Sequence, residues 1–195
     1  MSEKKSGINF KEILVSAAAL AIISGGVTAA LAATNAMTKN KIATNKINNE
    51  TNARKMVIKA DSFESHTLTI DGEEIVYFEA KKGDKSVGYV FTTSSVGKSA
   101  GMVVMTGIST DGEITGVRIT DNNESAGYVD TVTKTDKKNN IIGLPDRFIG
   151  KKAERKFELG VDVDAVSQAT KTSKGILSGV NQAVEIYKSI GREGQ

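Results

Sequence analysis

Apolar residues follow two different patterns along this chain, one unbroken and one periodic. The unbroken pattern comes first: no Asp, Glu, Lys, Arg or His occurs from Ile13 to Thr38, and the most apolar part runs from Ile13 to Ala33. A helix of that length, at about 1.5 Å per residue, would extend about 30 Å, which is the thickness of the hydrocarbon core of a bilayer. The pattern therefore predicts a transmembrane helix over residues 13–33.

Two other interpretations of this segment are open. The basic residues Lys4, Lys5 and Lys11, the apolar stretch after them and the triplet Ala30-Leu31-Ala32 also fit a cleaved signal peptide. A helix buried in a soluble core fits less well, since no charged residue interrupts the circumference. We expect an uncleaved anchor, because its many small residues suit close packing against other membrane helices.

The orientation of the anchor is not decided by charge alone, because three lysines precede it and three more follow within residues 39–46. A leading basic segment usually stays inside, whereas long C-terminal domains translocate largely regardless of charge. We therefore expect residues 1–12 in the cytoplasm, a single pass through the cell membrane, and the remainder of the chain outside. Residues 34–60 are polar with scattered apolar positions and predict a helical stalk with a loose middle at residues 45–52.

The periodic pattern begins after the stalk and predicts strands. Alternating residues from His66 to Ile70 and from Glu73 to Phe78 flank Asp71-Gly72, a pair typical of two-residue hairpin turns. Lys85 to Thr93 predicts another strand. Met102 to Ile108 and Ile114 to Thr120 flank a second Asp-Gly pair and predict a second hairpin.

The C-terminal part changes to a helical period. Apolar residues recur at spacings of three and four between Ser173 and Ile190, which predicts an amphipathic helix, and Gly143 to Asp146 predicts a turn. The fold class expected for residues 61–195 is therefore α+β, an antiparallel sheet with packed helices.

Composition excludes several kinds of site. The chain has no Cys and one His, which rules out disulfides, Cys-ligated metals and Cys nucleophiles, and leaves His66 as the only histidine that a catalytic triad could use. We interpret His66 as structural. The net charge of +3 is too small to indicate nucleic acid as a partner.

Hydroxyl groups are concentrated just before the C-terminal helix, where four Ser or Thr residues lie within residues 167–173. Helix capping would use one or two of these hydroxyls. A bound phosphate would use more of them, because a helix N-terminus presents free N–H donors and partial positive charge, and Lys171 and Lys174 add charge nearby. The residues alone leave both explanations open.

This motif resembles the signature of a known family. Ser167-x-Ala169-Thr170-x-Thr172-Ser173 is similar to the Ser-Gly-Ala-Thr-x-Thr signature of the FMN-binding domain found in the G subunit of Rnf complexes and in the C subunit of the sodium-pumping NADH:quinone reductase. In that family a flavin transferase takes FMN from FAD and joins its phosphate to the last threonine. The resemblance implies covalent FMN at Thr172, with the other named residues in the cofactor-binding site.

The resemblance extends over nearly the whole chain. The membrane helix, the hairpin from Gly107 to Val117 and the segment Phe148-x-Gly150-Lys151 occur in the order of the family. The chain departs from the family at Gln168, which stands where the signature has glycine.

A second motif departs further. The Glu-Thr-Pro-Gly-Leu-Gly loop of the family corresponds to Glu124-Ser125-Ala126-Gly127-Tyr128-Val129, which keeps the Glu and the first Gly but lacks the Pro and the second Gly. The resemblance implies flavin contacts at Glu124, Ser125 and Gly127. Tyr128 is interpreted as a core residue, as are the other aromatic residues Tyr89, Phe91 and Phe148.

The resemblance implies an electron-transfer subunit of a membrane-bound, ion-translocating ferredoxin:NAD⁺ oxidoreductase. The expected partners are iron–sulfur, flavin and membrane subunits of an Rnf-type complex, the flavin transferase, and membrane lipid. Mg²⁺ belongs to the transferase reaction, so we expect no structural metal. The alternatives are a C-type subunit of the quinone reductase, a stand-alone tethered flavin carrier, and a non-catalytic binding module whose hydroxyls only cap the helix.

Overall fold

The computed structural model describes residues 10–136 and 138–193. The described residues divide into two compact units, one up to residue 48 and the other from residue 49 onwards. In the first unit, the segment Phe10–Lys39 of helix α1 (Phe10–Val57) has a mean hydropathy of 2.1 and is long and apolar enough to cross a membrane. Its apolar side chains are exposed, which a helix surrounded by lipid or by other membrane helices requires.

The loose middle predicted at residues 45–52 is wrong, because helix α1 continues without interruption to Val57. A helix already nucleated on both sides propagates through residues of modest propensity, since each added residue completes one further hydrogen bond. In this region Glu50 and Arg54 form an i,i+4 ion pair of 3.3 Å, which favours the helical backbone.

The second unit is built on one antiparallel sheet in which each strand pairs with the next along the chain, in the order β1-β2-β3-β4-β5. The strands are β1 Ser62–Ile70, β2 Glu73–Lys82, β3 Lys85–Val96, β4 Ala100–Ser109 and β5 Ile114–Asp121. All five predicted strands are confirmed. The first Asp-Gly pair forms the predicted hairpin turn, with φ angles of 52° at Asp71 and 83° at Gly72.

Two helices and a short 3₁₀ helix follow the sheet: α2 Ala126–Thr133, the 3₁₀ helix Leu144–Phe148, and α3 Thr170–Glu193. The sequence did not predict α2, which occupies the polar stretch after β5. Helix α3 packs on β3 and β4 and buries the apolar face that its period predicts, including Ile176, Val180 and Val184. The α+β fold class is confirmed.

Aromatic side chains fall into two groups by burial. Phe91 and Phe148 are fully buried in the main core and confirm their interpretation as core residues. Tyr89 and Tyr128 are partly buried and pack against the same core.

The opposite face of the sheet is covered by the end of helix α1. Val57 and Ile58 form a second apolar cluster with Ala80, Val90 and Met105. Two glycines paired across β4 and β5, Gly107 and Gly116, allow the backbone of Val57 to lie directly on the sheet. The Thr115 hydroxyl donates a hydrogen bond of 2.6 Å to the carbonyl oxygen of Val57 and fixes this contact.

Gly116→Ala is expected to destabilise the domain, because an added Cβ would lie 2.7 Å from Val57 Cα and 2.8 Å from its carbonyl oxygen. Overpacking against backbone costs roughly 1–3 kcal/mol in the free energy of unfolding, which denaturant titration measures. Gly127→Ala is the control, because no atom lies within 4 Å of a Cβ at that position. Equal stability of the two variants would contradict the close contact with Val57.

Candidate functional site

The hydroxyl motif lies at the start of helix α3, and the structure separates its members by exposure. Thr172 is 1% exposed and Ser173 is fully buried, whereas Ser167 and Thr170 are exposed. The Ser173 hydroxyl donates to the carbonyl oxygen of Ala169 at 3.0 Å and accepts from the N–H of Val166 at 3.3 Å. The Ser173 hydroxyl is therefore engaged by local backbone groups and caps no N–H group of helix α3, whereas the Thr172 hydroxyl has a partner outside the motif.

Thr172 contacts a residue of the second predicted motif. Its hydroxyl Oγ1 lies 3.3 Å from Glu124 Oε2, to which it donates a hydrogen bond, although the two residues are 48 positions apart. Glu124 is 9% exposed. Its other oxygen, Oε1, accepts hydrogen bonds from the backbone N–H groups of Lys98, at 2.6 Å, and Ser99, at 2.9 Å. One carboxylate thus joins helix α3 to the β3–β4 turn.

Two glycines make this arrangement possible. A Cβ at Gly97 would collide with Glu124 Oε1 and lie 2.9 Å from Met102 Cε. A Cβ at Gly175 would lie 2.8 Å from the Cα of Gly97. The first turns of helix α3 and the β3–β4 turn therefore meet backbone to backbone, next to Thr172. Sequence reasoning did not single out these glycines, and the amides of Lys98 and Ser99 carry no side-chain signal.

The position at which the chain departs from the family signature has an unusual backbone conformation. Gln168 has φ of 65°, in the left-handed region, which costs an L-residue other than glycine roughly 1–2 kcal/mol. This explains why a glycine suits the signature at this position. Having glutamine instead of glycine at position 168 raises the conformational energy of this turn. It does not remove the hydroxyl of Thr172, which lies on helix α3.

Gln168→Gly is expected to stabilise the protein by roughly 0.5–1 kcal/mol, because glycine adopts this φ without a Cβ clash. The midpoint of urea unfolding is the measurement. Gln168→Ala is the control: it removes the same exposed side chain but keeps the Cβ, so it should bring no gain. A gain in the alanine variant equal to that in the glycine variant would show that the backbone conformation is not the cause.

The remaining predicted contacts lie near Glu124 in the chain but are not joined to Thr172 by a hydrogen bond. Ser125 is the exposed N-cap residue of helix α2, and its side chain makes no capping hydrogen bond. Gly127 is exposed in the first turn of that helix. Tyr128 is partly buried, and the ammonium of Lys98 lies 3.9 Å from the centre of its ring. Lys171 and Lys174 are exposed on helix α3, on either side of Thr172.

The single histidine lies in a separate cluster on β1 and β2. His66 Nε2 is 3.4 Å from Glu79, and the ammonium of Lys81 contacts both Glu64, at 2.6 Å, and Glu79, at 3.6 Å. The hydrogen bond to the Glu64 carboxylate raises the pKa of Lys81. The ammonium contacts both carboxylates and compensates one of their two negative charges, so these groups form a charged surface cluster, which is consistent with a structural interpretation of His66.

The residues around Thr172 fit a phosphate ester. The threonine supplies a hydroxyl nucleophile, backbone N–H groups lie on the other side of the Glu124 carboxylate, and two lysines are exposed on the same helix. Backbone N–H groups and lysine ammonium groups are typical donors of hydrogen bonds to phosphate oxygens in proteins. The burial of Thr172 adds one condition, since a reagent reaches the hydroxyl only after the groups that cover it have moved.

Comparison with known proteins defines the class. Residues 97–185 match the FMN-binding domain family, and the matched region begins at Gly97 and includes both Glu124 and Thr172. The match covers both motifs from which the resemblance was recognised, and that recognition is confirmed.

Two similar proteins are both G subunits of ferredoxin:NAD⁺ oxidoreductase complexes. The chain is 29% identical over 214 residues to the G subunit of the Na⁺-translocating complex of Acetobacterium woodii, and the alignment covers 98% of this chain and 99% of that protein. It is 28% identical over 149 residues to the G subunit of the proton-translocating complex of Clostridium ljungdahlii, with 72% of this chain and 71% of that protein covered.

Proposed function

We propose that this chain is the flavin-carrying G-type subunit of an ion-translocating ferredoxin:NAD⁺ oxidoreductase, with FMN joined covalently to Thr172. The alignment with the Acetobacterium woodii protein supports the assignment, because it spans almost the full length of both chains and so includes the apolar helix as well as the domain. One of the two relatives is named for Na⁺ and the other for protons, so the coupling ion is not part of the proposal.

The hydrogen bond between Thr172 and Glu124 is the observation that carries the assignment of the attachment site. It brings the two family motifs together at one hydroxyl, whereas Ser173 is engaged by backbone groups and Ser167 and Thr170 lie exposed. In the attachment, Thr172 Oγ forms a bond to the phosphorus of the FMN half of FAD. The phosphoanhydride bond to AMP breaks, AMP leaves with the electron pair, and the hydroxyl proton is released. A separate flavin transferase supplies the catalysis.

The protein then holds the cofactor and limits its movement. Isoalloxazine performs one- and two-electron transfer by itself, so the chain needs no side chain that acts as acid or base. The phosphoester keeps the flavin in place at an extracytoplasmic site, where free FMN is scarce. Exposed Lys171 and Lys174 place positive charge beside the anionic linkage.

The apolar part of helix α1 supports a membrane location. In this proposal residues 1–12 are cytoplasmic, residues 13–33 span the membrane once, residues 34–60 form the stalk, and residues 61–195 form the extracytoplasmic flavin domain. The small residues of the span suit packing on membrane subunits of the complex. Electrons would enter and leave through neighbouring iron–sulfur and flavin subunits.

The mass of the peptide that contains Thr172 tests the attachment. The full chain is coexpressed with a flavin transferase, digested and analysed, and Thr172 should be heavier by FMN less one water. An unmodified Thr172 would contradict the proposal. Purification from the native membrane tests the assembly: we expect several redox subunits to accompany the chain, whereas a lone flavinylated chain would indicate the stand-alone carrier.

A further inference from the structure

We propose that the backbone amides of Lys98 and Ser99 bind the phosphate of the attached flavin, and that Glu124 occupies these amides until the flavin is attached. The inference rests on the proposed function, because it concerns the same hydroxyl. It assigns the phosphodiester a binding site on the β3–β4 turn. This turn is far along the chain from the hydroxyl motif.

The starting point is the position of the Glu124 carboxylate. One oxygen accepts from both amides and the other accepts from the hydroxyl that would become the ester. Gly97 is compatible with this position only because it has no Cβ. An anion therefore already lies between the turn and Thr172, at a place that is built to hold one.

Attachment of the flavin removes the interaction that holds the Glu124 carboxylate next to Thr172. The ester oxygen of Thr172 has no proton to donate, so the hydrogen bond to Glu124 Oε2 is lost. The phosphodiester also carries a negative charge, and two like charges in contact at a buried position repel each other strongly. Glu124 is itself buried, but it belongs to the connection between β5 and α2, and Asn123 and Ser125 beside it are exposed. Its side chain can therefore turn outward without moving a strand or helix.

The two amides then need another acceptor. Lys98 is exposed and Ser99 is half-buried, so departure of Glu124 alone would replace two hydrogen bonds to a carboxylate with weaker ones to water. The phosphate oxygens are the nearest anion once the ester has formed, and hydrogen bonds from backbone N–H groups to an anion are among the strong ones. The amides thus exchange a carboxylate for a phosphate.

Thermal unfolding of four proteins separates this exchange from a purely structural role of Glu124. The wild type and Glu124→Gln are each prepared as full chains in detergent, with and without attached flavin. In the unmodified form, loss of the charged acceptor should lower Tm by roughly 5 °C. In the flavinylated form the same substitution should change Tm by less than about 1 °C, because Glu124 has already left.

Asp130→Asn is the matched control, since it removes an exposed carboxylate from helix α2. It should change Tm equally little in both forms. An equal loss for Glu124→Gln with and without flavin would overturn the inference, because Glu124 would then keep its contacts after attachment.

Amide hydrogen exchange at Lys98 and Ser99 gives a second readout in Glu124→Ala, which leaves no side-chain acceptor. Both amides should exchange quickly in the unmodified variant and should be protected by at least about tenfold when flavin is attached. Equal exchange in the two forms would overturn the inference. The peptide mass keeps the two proposals apart: a modified Thr172 with unchanged exchange refutes only the phosphate site, whereas an unmodified Thr172 in the wild type refutes the proposed function together with it.

Discussion

Thr172→Val is expected to abolish covalent flavin completely while leaving the domain folded. Valine has nearly the shape of threonine but lacks the hydroxyl that would form the phosphoester. The loss of one hydrogen bond to the Glu124 carboxylate should lower the free energy of unfolding by about 1.5–3 kcal/mol. Flavin fluorescence on a denaturing gel, after coexpression with the transferase, measures the effect, and circular dichroism checks the fold.

Two further variants test whether the effect is specific to the hydroxyl of residue 172. Ser178→Ala removes an exposed hydroxyl further along helix α3, outside the motif, and should retain the full flavin signal. Thr172→Ser keeps a hydroxyl at the same position and should retain attachment at least in part. Flavin that persists in Thr172→Val would show that another residue is the acceptor, and the proposed function would fail in its central point.

Gly175→Ala should destabilise the domain and disturb the candidate site at the same time. An added Cβ would lie 2.8 Å from Gly97 Cα, 3.0 Å from its nitrogen and 3.1 Å from the carbonyl oxygen of Val96. All three atoms belong to backbone, which cannot rotate away, so helix α3 must shift. We expect a loss of roughly 2–3 kcal/mol in the free energy of unfolding, together with slower flavin attachment, because the shift also moves Thr172 relative to Glu124.

Gly191→Ala is the control in the same helix. No atom lies within 4 Å of a Cβ at position 191, and replacing a helical glycine by alanine favours the helix by roughly 0.5–1 kcal/mol. The two substitutions should therefore change stability in opposite directions, as measured by denaturant titration. Stabilisation by both would show that helix propensity decides the outcome and that the contact with Gly97 is not tight.

Much of the fold follows from short-range patterns. Alternation in the strands and the Asp-Gly pairs fix β1, β2, β4 and β5 in order, because each strand pairs with its neighbour in sequence. The helical period fixes α3. The pattern failed at residues 45–52, where helix formation depends on both flanks, and at α2, whose eight residues hold too few turns to show a period.

The site was predictable only in part. The Thr172 and Glu124 motifs are visible in the sequence, but their contact spans 48 residues and depends on how α3 packs. The backbone amides of Lys98 and Ser99 leave no signature in the sequence, because every residue except proline has a backbone N–H group. Gly97 and Gly175 are needed because Glu124 and the backbone of Gly97, respectively, lie where their Cβ atoms would be, and the spacing of residues in the sequence does not reveal such contacts.

If Thr172 is the attachment site, its contact with Glu124 also determines when the cofactor can be added. Its parts come from the β3–β4 turn, from the connection before α2 and from the last helix, and contacts so distant along the chain form late in folding. A chain that ends before α3 lacks the acceptor, and a misfolded one lacks its surroundings. With FMN on Thr172 as proposed, the yellow colour of the protein would report completed synthesis and correct folding of each copy.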